Sequence, residues 1–310
     1  MSKYKYLFGP VPSRRLGRSL GVDIVPLKKC SQNCIYCQLG LNADTVVERS
    51  EYVKISEVLA ELKDAVENGL DADFITITGS GEPTLNTKVG DLIDGIRKIT
   101  KIPVAILTNG TLFGDPEVRK ACCKADVVMP SLDAGDERTF INMNRPHKTI
   151  KFDEFIDGLC RFRKEYKGKY WLEVFLCEGV NTDDGQLANI TRLVEKIKPD
   201  RVQLNTSVRP TVEKDAIRVD PARLEQIAIM MGLNAEVVAD FSRLKGFQRT
   251  NADAERIADM LKRRPCTLED ICNGLSADRN EVVKIISLLD AENRLVIENS
   301  GGETYYGVKS

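Results

Sequence analysis

The chain has 310 residues, of which 42% are hydrophobic and 29% are charged, and its formal net charge at pH 7 is −1. This length and composition allow a full hydrophobic core, exclude a low-complexity protein, and predict one large domain with a small appendage. Nine cysteines, without a secretory signal or an apolar run long enough to cross a bilayer, favour a reducing compartment, so we predict a cytoplasmic protein without disulfides or a membrane partner.

The first 29 residues are strongly basic although the whole chain is nearly neutral. They contain seven basic residues against one acidic residue, Asp23, for a net charge of +6. The basic residues are Lys3, Lys5, Arg14, Arg15, Arg18, Lys28 and Lys29. Such a segment can hold an anionic substrate or a cofactor carboxylate, but a solvated basic surface offset by acidic helices elsewhere explains it equally well.

The next segment contains three closely spaced potential metal ligands. Cys30, Cys34 and Cys37 follow one another with the spacing C-x3-C-x2-C. An iron-sulfur cubane has four irons, so three cysteine ligands leave one iron open to a substrate or cofactor. The alternative is zinc with an open fourth position. Structural zinc modules use paired C-x2-C motifs, and the nearest other cysteines lie far along the chain, so we favour the 4Fe-4S cluster.

Strand and helix patterns alternate through the next 180 residues. Short apolar segments rich in β-branched residues predict six strands, at 21–26, 74–78, 104–108, 127–132, 171–177 and 202–208. Helical spacing predicts helices at 56–67, 87–99, 116–123, 151–166 and 185–197, the first with Ser56 as its N-cap. The alternation predicts an α/β fold with parallel strands, either a doubly wound sheet or a barrel.

The chemically suggestive residues lie at or just after the ends of predicted strands. They are the three cysteines, the segment Gly79–Pro83, Asn109, Asp133 and Asn205. The carboxyl ends of barrel strands meet at one end, where barrel enzymes form their active sites. Taken singly, a Gly-Ser-Gly run is often only a turn, an Asp can cap a helix, and an Asn is a common turn residue.

The pattern changes after the sixth strand. A helix at 221–231, a short strand at 235–239 and a helix at 251–263 precede two predicted helices, 267–275 and 277–293, and a hairpin of 294–298 and 304–308. This last order resembles a winged helix. Residues 241–310 contain eleven basic and eleven acidic residues, so we rank docking of a partner or structural support above DNA binding.

Several segments together resemble the radical S-adenosylmethionine (radical SAM) superfamily. Tyr36 precedes the last cysteine of the triplet, and Gly79–Pro83 resembles the family's glycine-rich segment. Ser131-Leu132-Asp133 resembles its ribose-contacting strand end, and Gly179-Val180-Asn181 the end of its fifth strand. The resemblance covers residues 20–210 and implies a partial (βα)6 TIM-like barrel. It therefore divides the chain into a barrel domain (1–240), a helical linker (241–265) and a winged-helix-like domain (266–310).

The resemblance also implies cofactors and chemistry. The three cysteines would ligate a 4Fe-4S cluster whose open iron binds S-adenosylmethionine. Reduction by a donor such as flavodoxin or ferredoxin would cleave that cofactor to a 5′-deoxyadenosyl radical, which abstracts hydrogen from a substrate. Tyr36 would pack near the adenine. Backbone groups of Ser80, Gly81 and Glu82 would receive the methionine amine, with Ser80 replacing the family's first glycine.

The remaining implied contacts are polar. Ser131 and Asp133 would bind the ribose hydroxyls. Weaker candidates for the cofactor wall are Asn109, Asn181 and Asn205. The residue that exchanges hydrogen with the substrate stays unassigned, because Cys177 is most simply a buried core thiol and His147 a surface residue, although either could take a chemical role.

The chain looks closest to an uncharacterised branch near the wybutosine tRNA-modifying radical SAM enzymes. The similarity lies in Phe8–Gly17, in the run 37–40 and in the tail. Those enzymes bind a second cluster through cysteines upstream of the triplet, and this chain has no cysteine before Cys30. An RNA substrate is therefore an expectation that the motifs do not establish.

Three alternatives stay open. A peptide- or protein-modifying radical SAM enzyme would use the C-terminal domain to hold a leader peptide by strand addition. A glycyl-radical activase is the second. The third belongs to another class, an iron-sulfur regulator that binds DNA, and the predicted ribose-contacting segment counts against it because a sensor needs no adenosine site.

Overall fold

The computed structural model describes residues 4–13, 15–37, 39, 45–207, 213, 216–232, 234–238, 254–275, 277, 279–300 and 303–309. The strands of its main sheet are β1 (Leu7–Ser13), β2 (Gly17–Asp23), β3 (Phe74–Thr78), β4 (Val104–Thr108), β5 (Val127–Pro130), β6 (Lys169–Leu176), β7 (Arg201–Thr206) and β8 (Ala235–Val237). The accompanying helices are α1 (Ile55–Glu67), α2 (Val89–Ile99), α3 (Pro116–Cys122), α4 (Glu137–Asn144), α5 (Phe152–Glu165), α6 (Asp184–Ile197) and α7 (Pro221–Met231).

The main sheet is a partial barrel. Its strands are adjacent in chain order from β1 to β8; β1 pairs antiparallel with β2, and each later pair is parallel. A doubly wound sheet reverses its strand order at a switch point, and this sheet does not. The parallel strands β2–β7, joined by helical crossovers, confirm the predicted α/β fold of a partial (βα)6 TIM-like barrel.

The strands bury residues on both faces. Ile75 and Ile77 of β3 pack with the apolar sides of the helices in the largest hydrophobic cluster. Truncating a residue buried as fully as Ile77 to Ala would cost about 2–5 kcal/mol. A smaller cluster that includes Leu16, Val127 and Trp171 lies near the amino ends of the strands. This cluster of apolar side chains thus lies near the amino ends of the strands, and the loops that carry the predicted site lie at the carboxyl ends.

Most predicted elements are present, some with shifted ends. β3 and β4 have the predicted bounds, whereas β2 spans Gly17–Asp23 instead of 21–26 and β5 ends at Pro130 instead of 132. The sequence analysis missed β1 and α4. Pro10 and Pro12 interrupt the strand signal of β1, but its place at the edge of the sheet tolerates missing backbone donors. α4 is short and mostly polar, so its periodicity is weak.

The predicted N-cap at Ser56 is wrong. α1 begins at Ile55, and Lys54 occupies the N-cap position without a side-chain cap. The backbone N–H of Ile55 donates instead to the Glu51 carboxylate across 3.4 Å. Ile55 is buried, so the helix starts early enough to place its side chain in the core, and Ser56 falls inside the first turn.

A second group of elements follows the barrel, and we call it the C-terminal unit (residues 254–309). It consists of α8 (Ala254–Arg263), β9 (Cys266–Thr267), α9 (Leu268–Leu275), α10 (Arg279–Ala291), β10 (Leu295–Ser300) and β11 (Glu303–Val308). β11 pairs antiparallel with both β10 and β9, and the helices enclose a separate hydrophobic cluster that includes Ile257, Ile271 and Leu289. The helix-helix-hairpin order agrees with the predicted elements, while the winged-helix assignment and the three domain boundaries stay predictions.

Some predicted features lie outside the described residues. They are Lys3 and Arg14 of the basic segment, Gln38 and Gly40 after the cysteines, residues 241–253 of the predicted linker, Asp278 of the predicted helix 277–293, and the hairpin tip at 301–302. Within the described ranges, no helix has the length and apolar composition needed to cross a membrane.

Candidate functional site

The cysteine loop follows β2 and is held by the segment that ends α4. The backbone N–H of Ile35 donates to the Met143 carbonyl across 2.9 Å, and that of Asn33 donates to the Asn144 carbonyl across 3.0 Å. In the opposite direction, the N–H of His147 donates to the carbonyl of Ser31 across 2.8 Å. These bonds fix the loop in an extended path beside residues 143–147.

The three thiols lie in a partly buried, anionic environment. Burial raises the pKa of Cys30 to about 12 and raises that of Cys34 well above its usual range; the nearby carboxylates of Glu82 and Asp133, respectively, add to these effects. Burial also raises the pKa of Cys37. The thiols further raise one another's pKa, so they are near enough to interact electrostatically. A bound metal centre would supply positive charge that favours the thiolate form at such a site.

Two amide groups point at the sulfurs. Asn109 Nδ2 lies 3.5 Å from Cys30 Sγ, and Asn144 Nδ2 lies 3.5 Å from Cys34 Sγ. N–H donors to cysteine sulfur stabilise the thiolate and tune iron-sulfur centres. Three thiols in one loop with such donors are a donor set that fits a cluster held by three cysteines.

A single metal ion would need a tighter arrangement. Over the ranges that the structure describes, no three His, Cys, Asp or Glu side chains are grouped closely enough to hold one ion. In a cubane each cysteine binds a different iron, so its sulfurs stand farther apart than the ligands of one ion. The donor chemistry, rather than a convergence of the three sulfurs on one point, is therefore the basis for fitting a cluster here.

The glycine-rich segment packs backbone to backbone against the start of the cysteine loop. The N–H of Glu82 donates to the Lys29 carbonyl across 2.8 Å, and the N–H of Lys28 donates to the Ser80 carbonyl across 2.5 Å. A Cβ at Gly81 would lie 1.9 Å from the Lys29 carbonyl oxygen, so only glycine fits. The segment thus brings its main chain next to Cys30.

Glu82 ties this segment to β4 through its side chain. The carboxylate is buried and accepts hydrogen bonds from Thr108 Oγ1 at 2.6 Å, from the Asn109 N–H at 2.7 Å and from the Thr84 N–H at 3.0 Å. Burial raises the pKa of Glu82, and these hydrogen bonds act against the increase. Its side chain supports the loop, while its backbone faces the cysteine segment.

Asn109 is fixed by its own turn. Its Oδ1 accepts from the Thr111 N–H at 3.0 Å and from Thr111 Oγ1 at 2.7 Å, and its Nδ2 donates to Ser31 Oγ at 2.9 Å. The remaining direction of Nδ2 is toward Cys30. Among the predicted wall residues, Asn109 is thus the one in contact with the cysteines.

Asp133 and Tyr36, predicted to contact ribose and adenine, touch each other. The Tyr36 hydroxyl donates to Asp133 Oδ2, which also accepts from Asn144 Nδ2 at 2.7 Å. Asp133 Oδ1 accepts from the Phe175 N–H at 2.9 Å, and the rings of Tyr36 and Phe175 stack with centroids 3.9 Å apart. Burial raises the pKa of Asp133 to about 6, opposed by these hydrogen bonds. The carboxylate is thus engaged by three protein donors.

Asn181 holds the turn after β6. Its side chain is fully buried; Nδ2 donates to the carbonyls of Asp133 and Phe175 at 2.7 and 2.8 Å, and Oδ1 accepts from the Cys177 N–H at 2.8 Å. Cys177 itself is buried in a small cluster with Ile35, and burial raises its pKa to about 12. Asn181 therefore holds the backbone after β5 to the carboxyl end of β6.

Ser131 and Asn205 adjoin Glu173 instead of the cysteine loop. Ser131 forms a parallel bridge with Glu173, and Asn205 Nδ2 donates to Glu173 Oε1 across 2.8 Å. Arg15 Nη1 lies 2.5 Å from Glu173 Oε2. Two residues of the basic N-terminal segment therefore lie in different surroundings, because Arg15 pairs with Glu173 while Arg18 pairs with Asp73 at 2.9 Å on an exposed edge.

Two residues near the cysteines and the glycine-rich segment were not predicted from the sequence, Asn144 and Asp23. The Asp23 carboxylate accepts from Ser80 Oγ across 2.6 Å. Asn144 contacts Cys34, Asp133 and Tyr36, but it ends a helix that was not predicted. The Asn-Arg-Pro run that closes this helix was the available signal, since proline commonly follows a helix end. His147, in the same run, has Nδ1 2.8 Å from Thr149 Oγ1 and is partly exposed.

Comparison with known proteins gives a family match for this chain. A family model described as "Radical SAM superfamily" matches residues 24–189. The chain is 32% identical over 303 residues to a UPF0026 protein of Helicobacter pylori, spanning 97% of this chain and 96% of that one. It is 40% identical over 309 residues to "GTPase Obg" of Brachyspira hyodysenteriae, spanning 99% of this chain but only 45% of that relative.

The fold also has a solved counterpart. The crystal structure of Streptococcus suis SuiB bound to S-adenosylmethionine matches with a TM-score of 0.52 and 19% sequence identity. The match covers 70% of this chain and 49% of that chain. At this identity, the similarity concerns the fold alone.

Proposed function

The chain belongs to the radical SAM superfamily, whose enzymes bind a 4Fe-4S cluster and S-adenosylmethionine, and from that membership we propose a specific site and reaction for it. Cys30, Cys34 and Cys37 hold the cluster. When bound, the cluster supplies the electron that cleaves S-adenosylmethionine to methionine and a 5′-deoxyadenosyl radical. Asn109 and Asn144 donate N–H groups to two of the cysteine sulfurs and favour their thiolate form.

The cofactor lies between the glycine-rich segment and the Tyr36 side of the loop. Backbone groups of Ser80, Gly81 and Glu82 receive the methionine end, because the close packing of Gly81 on Lys29 brings this main chain next to the cysteines. Tyr36 packs near the adenine and is held by its stack on Phe175.

The polar strand ends complete the proposed cofactor site. Ser131 and Asp133 take the ribose side, with Asp133 also positioning Tyr36 through its hydroxyl. Asn109 completes the wall beside the cysteines, and Asn181 and Asn205 support the wall through other protein groups. Asn181 contributes by fixing the backbone of Asp133, and Asn205 by its contact with Glu173.

One observation carries the proposal. The backbone bond from Glu82 to Lys29 places the glycine-rich segment directly against the residue that precedes Cys30, where a Cβ at Gly81 would overlap the Lys29 carbonyl. This juxtaposition puts the main chain of Ser80–Glu82 next to Cys30, where it would meet an amino-acid end bound at the open iron of the cluster.

The test is anaerobic reconstitution. Purified protein is loaded with iron and sulfide, reduced with dithionite, and incubated with S-adenosylmethionine. We expect release of 5′-deoxyadenosine, and no release by a cluster-free Cys30→Ala variant. An intact cluster, verified by iron content and visible absorbance, that yields no 5′-deoxyadenosine would contradict the proposed reaction.

For the substrate we propose RNA, as in a tRNA-modifying enzyme, with electrons delivered by a flavodoxin or ferredoxin. The support is the resemblance of Phe8–Gly17 and of the tail to the wybutosine branch. The basic residues Arg15 and Arg18 add no support, because both pair with acidic side chains instead of forming a free phosphate-binding surface. Anaerobic incubation with unmodified tRNA, followed by mass spectrometry of nucleosides, would reveal a mass change. A change confined to added peptides would favour the peptide-modifying alternative.

GTP hydrolysis is not part of the proposal. The name of the Brachyspira relative includes a GTPase activity, but this chain matches only 45% of that protein. The phosphate-binding pattern G-x-x-x-x-G-K-[ST] does not occur anywhere in the sequence.

A further inference from the structure

The C-terminal unit contacts the barrel next to the glycine-rich segment. α9 lies against β1, and Arg263 ends α8. The Arg263 guanidinium lies 4.2 Å from the centre of the Phe8 ring, and its Nη1 lies 3.7 Å from Asp23 Oδ2. Phe8 covers Gly21 of β2 so closely that a Cβ there would lie 2.0 Å from the ring. An arginine of the appended unit thus reaches the carboxyl end of β2.

Asp23 connects that arginine to the segment proposed to receive S-adenosylmethionine. Its Oδ2 accepts from Ser80 Oγ at 2.6 Å and from the Ser80 N–H at 3.2 Å. Gly79 has a φ of +145°, and a Cβ on it would lie 2.2 Å from Asp23 Oδ1. Asp23 is the last residue of β2, so it sets the position at which the glycine-rich segment leaves β3.

The connection continues to the cysteines. Ser80 accepts from the Lys28 N–H, and Glu82 donates to the Lys29 carbonyl. The carboxylate of Glu82 holds the Asn109 backbone, and the side chain of Asn109 contacts Cys30. A displacement of Asp23 would therefore shift Ser80, Glu82 and Asn109, which form one edge of the proposed cofactor site.

The Arg263 guanidinium is partly buried and faces two carboxylates, those of Asp23 and Asp259. Burial lowers its pKa, and the carboxylates of Asp23 and Asp259 act against that decrease. The side chain of Asp23 is only 13% exposed, so its charge needs a partner in place of water. Ser80 provides hydrogen bonds and Arg263 provides the opposite charge.

We propose that Arg263 and Asp23 are positioning residues through which the C-terminal unit holds the Gly79–Glu82 segment in the conformation that binds S-adenosylmethionine. The affinity for this cofactor then depends on the C-terminal unit as well as on the barrel. The inference rests on the proposed function, because it assigns a support to the site defined there.

The test measures S-adenosylmethionine binding to the full-length, anaerobically reconstituted protein by calorimetry. We expect Arg263→Gln and Asp23→Asn each to raise the Kd by about 5-fold, the lower end of typical coupling between sites. The double variant should bind no more weakly than Asp23→Asn alone, because Arg263 acts through Asp23. Arg263→Lys should restore part of the affinity. The control is Lys262→Gln, since Lys262 pairs with Asp259 within α8 and should leave the Kd unchanged.

A second readout uses the cluster-free protein. Hydrogen exchange of the peptide that spans residues 74–85 should be faster in Arg263→Gln than in the wild type or in Lys262→Gln, with an unchanged midpoint of thermal unfolding for the barrel. A Kd within 2-fold of wild type, unchanged exchange, or additive effects in the double variant would each overturn the inference. Failure of the wild-type holoprotein to bind S-adenosylmethionine would instead overturn the proposed function.

Discussion

The side-chain amide of Asn144 donates to Cys34 Sγ across 3.5 Å, although the two residues are 110 positions apart in the chain. The same amide donates to Asp133 Oδ2 across 2.7 Å. One side chain at the end of α4 therefore connects the cysteine loop to the end of β5. This connection ties the path of the cysteine loop to the barrel.

Removing this amide should destabilise the cluster-free protein. Asn144→Ala leaves the buried Asp133 carboxylate without one of its three donors, and a lost bond to a buried charged group costs about 1–3 kcal/mol. Urea denaturation would measure the loss. Asn189→Ala is the control, because its side chain accepts from Arg192 on an exposed helix face and should change stability by less than about 0.5 kcal/mol. Equal effects of the two variants would contradict the role given to Asn144.

Cys34→Ala should abolish cluster binding and leave the barrel folded. The thiol lies in a loop, and the largest hydrophobic cluster is built from strand and helix residues elsewhere. Iron content and visible absorbance measure the cluster, and far-UV circular dichroism measures the fold. The control Cys123→Ala changes a half-buried thiol at the end of α3 and should keep the cluster. Global unfolding of Cys34→Ala would show that the cysteine loop is needed for the fold itself.

Gly81→Ala should disturb the proposed cofactor site because the new Cβ would lie 1.9 Å from the Lys29 carbonyl oxygen. Overpacking of this kind costs about 1–3 kcal/mol, and we expect weaker S-adenosylmethionine binding as well. Chemical denaturation and calorimetry measure the two effects. The same substitution at Gly114, where a Cβ would meet no atom within 4 Å, should be neutral in both. Normal cofactor binding by Gly81→Ala would refute the close packing proposed for this segment.

Stability of the cluster-free protein should depend on the ionisation of Asp133. Burial raises its folded-state pKa to about 6, above the usual value of 3.8. The folded protein then binds more protons than the unfolded chain between these values, so ionisation of Asp133 lowers stability as pH rises from 3.8 through about 6. Each pKa unit corresponds to about 1.4 kcal/mol.

The variant Asp133→Asn isolates this contribution. It should lower stability by a constant amount through its altered hydrogen bonds with Tyr36 and Asn144, but it should show a weaker fall in stability between pH 4 and pH 6.5 than the wild type does. Urea denaturation at several pH values measures the difference. Parallel pH profiles for the two proteins would mean that Asp133 keeps its ordinary pKa in the fold.

Local sequence signals predicted the strands and helices that are determined by residues close together in the chain. β3 and β4 are buried parallel strands rich in β-branched and apolar residues, and their bounds were predicted correctly. β1 contains two prolines and α4 is short and polar, so neither had a clear signal. Ser56 has the right residue type for an N-cap, but burial of Ile55 decided where the helix begins.

The features of the site also separate into those that local patterns predicted and those that only the fold explains. The C-x3-C-x2-C spacing and the glycine-rich segment are local patterns, and they led to the superfamily that the family model matches. The resemblance to the superfamily implied Asp133 as a ribose contact and Asn181 as a weaker candidate for the cofactor wall. The structure places Asn181 as a buried hydrogen-bonding support and surrounds the carboxylate of Asp133 with protein donors. No local pattern indicates whether a polar side chain faces a ligand or another part of the protein.

The sequence by itself determined the loop with three cysteines, the alternation of strands and helices, and the family, because these depend on residue types at short spacings. Only the tertiary structure decided that Asn144 contacts Cys34, that Arg15 pairs with Glu173 inside the barrel, and that Arg263 reaches Asp23. Each of these contacts joins segments that are distant in the chain. Their geometry follows from how the strands curve and how the C-terminal unit packs, and hydrophobic burial over the whole chain sets both.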